Sequence, residues 1–221
     1  MFAVIKELLE EFVEDIKARD AERQARIEAL CRDDDVARET EWGPAQGGGA
    51  SFRTHKLSTI TPDRVAFKKP WSSRVDAGIS VVVGVGMVVL GISIFISGDS
   101  DGLLLALCGL VFTSITVAVL RYTSKPKVFD RDQKLFWVGY GEPTSWSNTV
   151  RLKDVHAIQL VAEKIRSSSS NTRSSYYSYE LNLVLKNSTR VGVVDHGSRD
   201  AIRSDAEQLG EFLGVPVWDM T

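Results

Sequence analysis

At 221 residues, with 27 Lys and Arg against 29 Asp and Glu, the chain is close to neutral, and that balance argues against nucleic acid as a partner. The length holds one modest soluble domain beside any membrane segment. Two cysteines, Cys31 and Cys108, fall in settings too different to pair, which excludes a disulfide-stapled fold.

Residues 1–41 read as an N-terminal amphipathic helix. Phe2, Ile5, Leu9, Phe12 and Ile16 alternate steps of three and four and so share one face, widened by Leu8 and Val13. Beyond Lys17 the pattern gives way to Arg- and Glu-rich sequence, resumed only by Ile27 and Leu30. The polar face is acidic, whereas a helix lying on a membrane surface prefers Lys and Arg there. The helix is therefore expected to pack on the soluble domain or on a partner helix, with Arg19, Arg23 and Arg26 interrupting any coiled-coil seam. Met1–Asp20 is rich in Glu and lacks the basic opening of a cleavable leader. Asp33–Asp35 and the Gly-rich residues 42–50 read as flexible linker. The glycines lack the GxxxxGK[ST] context of a phosphate loop.

Strand texture begins at Ser51. Phe52–Leu57 and Arg64–Lys68, joined by a turn at Thr61-Pro62-Asp63, make residues 51–69 the first part of a β domain. Val75–Leu120 interrupts it. Residues 76–97 and 103–120 are apolar runs, each long enough to cross about 30 Å of hydrocarbon as a helix, and Gly98–Gly102 between them can only turn. This is a transmembrane hairpin. Lys68, Lys69 and Arg74 precede it, Arg121, Lys125, Lys127 and Arg131 follow it, and the turn carries only Asp99 and Asp101. Positive flanks stay in the cytoplasm, so both termini are expected there. Lys68, Lys69, Arg74, Arg121, Lys125 and Lys127 are also candidate contacts for anionic lipid, and Trp71 and Tyr122 stand where interfacial aromatics belong.

Past Asp76 at the edge of the first run, neither span carries an ionisable side chain or a proline, which argues against transport. Small residues recur at helical spacing: Ser80, Gly84 and Gly91 in the first span, Gly102, Ala106, Gly109 and Thr113 in the second. Such rows let two helix backbones approach, either within the hairpin or between copies.

Residues 125–219 form the main part of the domain. Lys127–Asp130 and Lys134–Tyr140 are strands turning at Asp132-Gln133, Val155–Ile165 is a long strand, and Ser167–Ser175 is a Ser-rich loop. Tyr177–Lys186 alternates cleanly and returns through a two-residue turn, Asn187-Ser188, into Thr189–Asp195. A C-terminal helix over 198–213 opens on Ser198 as N-cap, buries Ile202, Ala206, Leu209 and Leu213, and stops at Gly214 and Pro216. The expected fold is an α+β membrane protein: a transmembrane helical hairpin inserted in a small antiparallel, pleckstrin-homology-like (PH-like) β domain with a C-terminal helix.

The segments Gly48–Leu57, Val128–Trp137, Leu152–Leu160, Tyr179–Leu185, Val194–Gly197 and Leu213–Asp219 resemble a group of uncharacterised bacterial membrane proteins. The resemblance covers most of the chain from Trp42 onward. It implies a two-span protein of the bacterial inner membrane with a cytoplasmic, PH-like domain, and it supplies no catalytic residues.

The residues themselves point away from catalysis. His55, His156 and His196 lack metal-ligand spacing, so neither a metal nor any other cofactor is expected. Asp195-His196-Gly197-Ser198 holds an acid, a base and a hydroxyl, but chain neighbours do not converge as a triad does. Strand register offers more. Antiparallel pairing of Val155–Ile165 with Tyr177–Lys186 sets Gln159 opposite Asn182, Val161 opposite Glu180 and Glu163 opposite Ser178; the following turn sets Val193 opposite Asn182 and Asp195 opposite Glu180. One face thus gathers Gln159, Glu163, Glu180, Asn182 and Asp195, either as a solvated sheet surface or as a partner-binding face. Its adjacent carboxylates call for a counter-charge, which Arg19, Arg23 and Arg26 are placed to supply. The function expected is a membrane-tethered binding or scaffold module, non-enzymatic, whose partners are the lipid bilayer and another protein or a second copy. The alternative is a lipid- or envelope-stress-responsive component that self-associates through its hairpin.

Overall fold

The computed structural model describes residues 2–45, 47–143, 149–169 and 172–221; the side chains of residues 2–5, 8, 9, 12, 16, 71–74, 76, 77, 166–169 and 172–174 lie outside the description. The apolar stripe expected in the first helix, the Trp71 anchor and the Arg74 cation therefore fall outside the described side chains. In chain order the elements are α1 (Phe2–Asp33), α2 (Asp35–Glu39), β1 (Lys56–Thr61), β2 (Arg64–Lys68), α3 (Trp71–Ile96), α4 (Asp101–Thr123), β3 (Lys127–Asp130), β4 (Leu135–Val138), β5 (Thr149–Arg151), β6 (Val155–Ser169), β7 (Thr172–Leu185), β8 (Arg190–His196), α5 (Arg199–Leu213) and β9 (Val217–Met220). The chain is α+β and divides into two units, one of Met1–Arg53 with Arg151–Thr221, the other of Thr54–Val150.

In the Thr54–Val150 unit, the strands before and after the apolar helices share one ladder. Arg64, Val65, Ala66 and Phe67 of β2 stand opposite Asp130, Phe129, Val128 and Lys127 of β3, and the five-stranded sheet runs β1-β2-β3-β4-β5. Alternation gives each face its own buried set: Ala66, Val128, Leu135 and Trp137 on one, and the contacting rings of Phe67, Phe129 and Phe136 on the other. The first strand starts at Lys56 rather than Phe52, because Phe52 and Arg53 pair with the end of β8 instead. At one end of the sheet Arg64 holds Asp130 and Glu142 and lies over the Trp137 ring.

The two helices α3 and α4 pack side by side through their small residues. A Cβ at Gly91 would collide with the backbone of Ala106 and Gly102; one at Gly102 with the backbone of Phe95 and Gly91; one at Gly84 with Thr113; and one at Gly109 would lie 2.8 Å from the Gly84 carbonyl and from Val88 N. Thr113 returns its hydroxyl to the Gly109 carbonyl, 2.8 Å away, and Ser80 is half-buried on α3. Of the positions expected to bring helices together, Gly84, Gly91, Gly102, Ala106, Gly109 and Thr113 thus line the α3–α4 seam. The turn closes where Gly98 takes a φ of 97°, open only to a residue without a Cβ penalty.

In the other unit the four-stranded sheet runs β8-β7-β6-β9, with β9 parallel to β6. Three expectations need correction. The Ser-rich stretch is not simply a loop: β6 and β7 stay paired out to Ser169 and Thr172, and only Ser170 and Asn171 at the tip lie outside the described residues. The turn after β7 closes on three residues rather than two, with Leu185 N–H donating to the Thr189 carbonyl and Ser188 in the left-handed region at φ 63°. The one-residue offset is absorbed by a bulge at Val193, so Asn182 faces Gly192 while Glu180 still faces Asp195. Finally, the strands fall into two sheets rather than one, and each sheet gains a short strand too brief to show alternation, β5 in one and β9 in the other.

α5 covers one face of this sheet with Ile202, Ala206 and Leu209 fully buried, and Gly210 lets it approach Val217 and Ile158. Ser198 is its N-cap residue, though its side chain makes no capping bond, and Gly214 ends it in the left-handed conformation.

Filling the seam should be costly. Gly91→Leu is expected to lower the thermal midpoint of the detergent-solubilised protein by the equivalent of about 1–3 kcal/mol of overpacking. Val82→Leu, on a 70 % exposed position of the same helix, should leave it unchanged. Equal midpoints would remove the seam.

Candidate functional site

The register of β6 and β7 sets Gln159 against Asn182, Val161 against Glu180 and Glu163 against Ser178, and β8 brings Asp195 to Glu180. The five expected residues therefore share one face of the sheet, opposite α5. They are not a solvated surface: Gln159 and Asn182 are fully buried, Glu180 is 6 % exposed, and Ser178 beside them is 2 % exposed. Burying such groups without partners would cost roughly 1–3 kcal/mol each, so something must cover and satisfy them.

The cover is the chain's own residues 41–45 and 47–50, lying almost wholly within the 42–50 stretch expected as a linker. Gln159 Nε2 donates to the Glu41 carbonyl at 2.9 Å. The Glu180 carboxylate accepts the Ala45 N–H at 2.9 Å and 3.3 Å, Glu163 accepts the Gly48 N–H at 3.3 Å, and the Tyr176 hydroxyl donates to the Gly49 carbonyl at 3.0 Å. Arg190, which the three-residue turn places on this face opposite Val184, donates to the Gly43 carbonyl and to Gln159 Oε1 and pairs with the Glu41 carboxylate at 2.9 Å. Sequence reasoning missed Arg190, because the offset that puts it there depends on the left-handed Ser188. Arg19, Arg23 and Arg26 are engaged elsewhere: Arg19 with Asp15, Arg26 with Glu22, and Arg23 with the Trp42 carbonyl at 2.7 Å. The negative charge at Glu180 is met by a main-chain N–H, not by those arginines.

At Gly43, Ala45, Gly48 and Gly49 the sheet meets main-chain N–H and carbonyl groups. The geometry suits an extended backbone of small residues lying across polar side chains. A Cβ at Gly49 would strike the Ser178 hydroxyl. The match is incomplete: Ser178 Oγ and Asn182 Oδ1 are buried without a hydrogen-bond partner among the described residues.

Both ends of the strap are tied down. On the entry side, Asp34 caps α2 through the Val36 and Ala37 N–H groups and meets His156 Nε2 at 2.7 Å. Ala37 is buried against Ala157, Val184 and Trp218, and the Trp42 and Trp218 rings lie 5.5 Å apart. Burial works to raise the Asp34 pKa, but the hydrogen bond from His156 and those from Ala37 and Val36 outweigh it and hold the carboxyl below its ordinary value. On the exit side, Arg53 forms a 2.9 Å ion pair with the buried Asp205, and Gly197 N–H donates to the Phe52 carbonyl. A Cβ at Gly197 would collide with Ser51.

The remaining sequence candidates make other contacts. His55 contacts Lys127 Nζ at 3.3–3.4 Å. Lys69 Nζ donates to Thr123 Oγ1 at 3.2 Å, Lys125 lies 5.0 Å from the centroid of the Tyr122 ring, and Lys68 and Arg121 are exposed. In the Asp195–Ser198 run, His196 is fully buried; its Nδ1 accepts the Ser198 main-chain N–H at 3.0 Å, and its Nε2 has no hydrogen-bond partner among the described residues.

Burial, and then the nearby Arg53 charge, lower the His196 pKa, with Asp205 opposing in part. The native state therefore resists protonation that the unfolded chain accepts. Stability should be full above the ordinary histidine value of about 6.5 and decline as pH falls below it. Urea titrations across that range should show the decline in wild type and a flatter profile in His196→Asn, whose amide oxygen can still accept the Ser198 N–H. Parallel profiles would assign the slope elsewhere.

Searches of protein-family models, of curated proteins and of solved structures return no match to this chain.

Proposed function

We propose that this chain is a membrane-anchored, non-catalytic binding module whose β6–β7–β8 face takes up an extended, small-residue segment of a partner protein, and that residues 43–49 occupy the same face in the resting state. The observation that carries the reading is the set of bonds from Glu180, Glu163, Arg190 and Tyr176 to the main chain of those residues. Main-chain recognition tolerates many sequences, and the two unpaired buried oxygens leave room for a better occupant.

Anchoring in a bilayer, both termini in the cytoplasm, residence in a bacterial inner membrane and kinship with PH-like membrane proteins belong to the same proposal. Support for the bilayer comes from Gly78–Ile96 and Asp101–Thr123, which are long and apolar enough to span, with only 11 % and 6 % of their most apolar stretches buried. Helices serving as the core of a soluble fold would be mostly covered. Support for the orientation is the positive flanks. Self-association through the hairpin is less favoured, because its small residues already serve the α3–α4 seam.

Two experiments test the proposal. The first adds a fluorescent peptide of residues 41–50 to the full-length protein and reads anisotropy. Wild type should bind weakly, Gly49→Val should bind at least tenfold more tightly because its own strap is displaced, and adding Glu180→Gln should remove most of that gain. If the peptide never binds Gly49→Val, the face is permanent packing and the binding reading fails. The second places single cysteines at Ser100 and Ser204 in a background lacking Cys31 and Cys108. An impermeant thiol reagent outside intact cells should label position 100 only; labelling at 204 alone reverses the orientation.

A further inference from the structure

The cations of the Thr54–Val150 unit are sorted by position. At the end of the sheet distant from the helices, Arg64 is paired with Asp130 and Glu142, and Asp63, Arg131, Asp132 and Lys134 stand in the adjoining turns. At the end where β2 runs into α3 and α4 runs into β3, the described charged side chains are all basic: Lys56, Lys68, Lys69, Arg121, Lys125 and Lys127. Three further carboxylates belong to this unit, one of them, Asp76, with a side chain outside the description. Asp99 and Asp101 are at the α3–α4 turn, and Asp76 stands in the second turn of α3.

Within that basic end, one pair is set by register. Lys56 opens β1 and Lys68 closes β2, and the two stand directly opposite each other in the antiparallel ladder. Directly opposed residues project from the same face, so two ammonium groups rise side by side. Both are exposed, and among the described residues neither forms an ion pair with a carboxylate. Like charges directly across a ladder are destabilising. A topology signal needs only the count of cations near a span; it does not call for two of them facing each other.

We propose that Lys56 and Lys68 clamp the phosphate of an anionic phospholipid headgroup, with Lys69 and Lys125 beside them. The proposal rests on the bilayer placement argued above. The occupant follows from level and charge. Lys68 lies three residues before α3, Lys125 two residues after α4. Lys69 joins the two helix ends through Thr123. Tyr122, 73 % exposed under Lys125, has the amphipathic ring that settles at the headgroup layer. A single negative phosphate between the two ammonium groups replaces their repulsion with two charge-assisted hydrogen bonds. A neutral, zwitterionic headgroup carries the same phosphate but also an ammonium that the surrounding lysines repel, so the clamp selects for net negative lipid.

The test uses full-length, delipidated protein in detergent, titrated with phosphatidylglycerol or phosphatidylcholine and read by native mass spectrometry. Wild type should retain phosphatidylglycerol preferentially. Lys56→Gln/Lys68→Gln should reduce that preference by about five- to thirty-fold, the scale expected for two lysines near an anionic surface. The control Lys134→Gln/Lys153→Gln removes equal charge and should leave the preference intact. Thermal midpoints guard against misfolding: without lipid the clamp variant should melt no lower than wild type, and phosphatidylglycerol should raise only the wild-type midpoint. An unchanged preference in the clamp variant, or an equal loss in the control, overturns the proposal. So does displacement of phosphatidylglycerol by millimolar inorganic phosphate, which would make this a site for a soluble anion. Detergent phase separation isolates the underlying reading: wild type in the aqueous phase defeats the bilayer placement itself, whereas wild type in the detergent phase with an unchanged clamp variant defeats the lysine pair alone.

Discussion

A sheet face that buries amides and carboxylates must find them partners, and that requirement organises the larger unit. Gln159, Asn182 and Glu180 are as deeply placed as core leucines, yet each retains donors or acceptors that water would otherwise satisfy. The chain meets most of them with its own backbone. Main chain is a dense source of alternating N–H and C=O groups, and glycine lets it lie flat against the sheet without side chains holding it away. The composition of residues 43–49 follows from this. What reads as a flexible spacer by composition is an ordered layer, because the face beneath supplies the bonds that fix it.

Two hydrophobic solutions sit beside this polar one. α5 closes the other face of the sheet in the ordinary way, with an apolar stripe meeting apolar strand positions. The α3–α4 pair is held by close backbone approach, the mode suited to helices whose outer surfaces stay apolar and exposed. The small residues of α3 and α4 and the glycines in the strap answer the same geometric need, room for another backbone, in one case between helices and in the other over polar strands.

Much of this was legible in the sequence. The apolar runs follow from their length, the seam residues from small side chains at helical spacing, the pairing of strands across the hairpin from two short strands being marginal alone, and the β6–β7 register from alternation of period 2. The five residues of the candidate face were grouped correctly because β7 alternates so regularly. What escaped was set by single backbone conformations. The left-handed Ser188 lengthens a turn, moves Arg190 onto the face, turns Val191 toward the opposite side with Leu183, and leaves Val193 as the bulge. The strap escaped for a different reason. Glycine runs carry no periodicity, so nothing local distinguishes a segment that wanders from one that is held by side chains more than a hundred residues later.

The ladder between β2 and β3 also bears on how such a protein is made. β2 leaves the ribosome well before β3, and both apolar helices emerge in between. Until the second helix is complete, β1 and β2 form a two-stranded hairpin, marginal in water, with the edge that β3 will cover still unpaired. Once the helices lie side by side, the chain re-emerges next to the strand it must join, and the loop closure that would otherwise oppose the pairing has already been carried out by the helix pair. The small sheet is therefore complete only when β3, which follows both helices in the chain, takes its place on β2; a chain that stops at the first helix leaves that edge of β2 open.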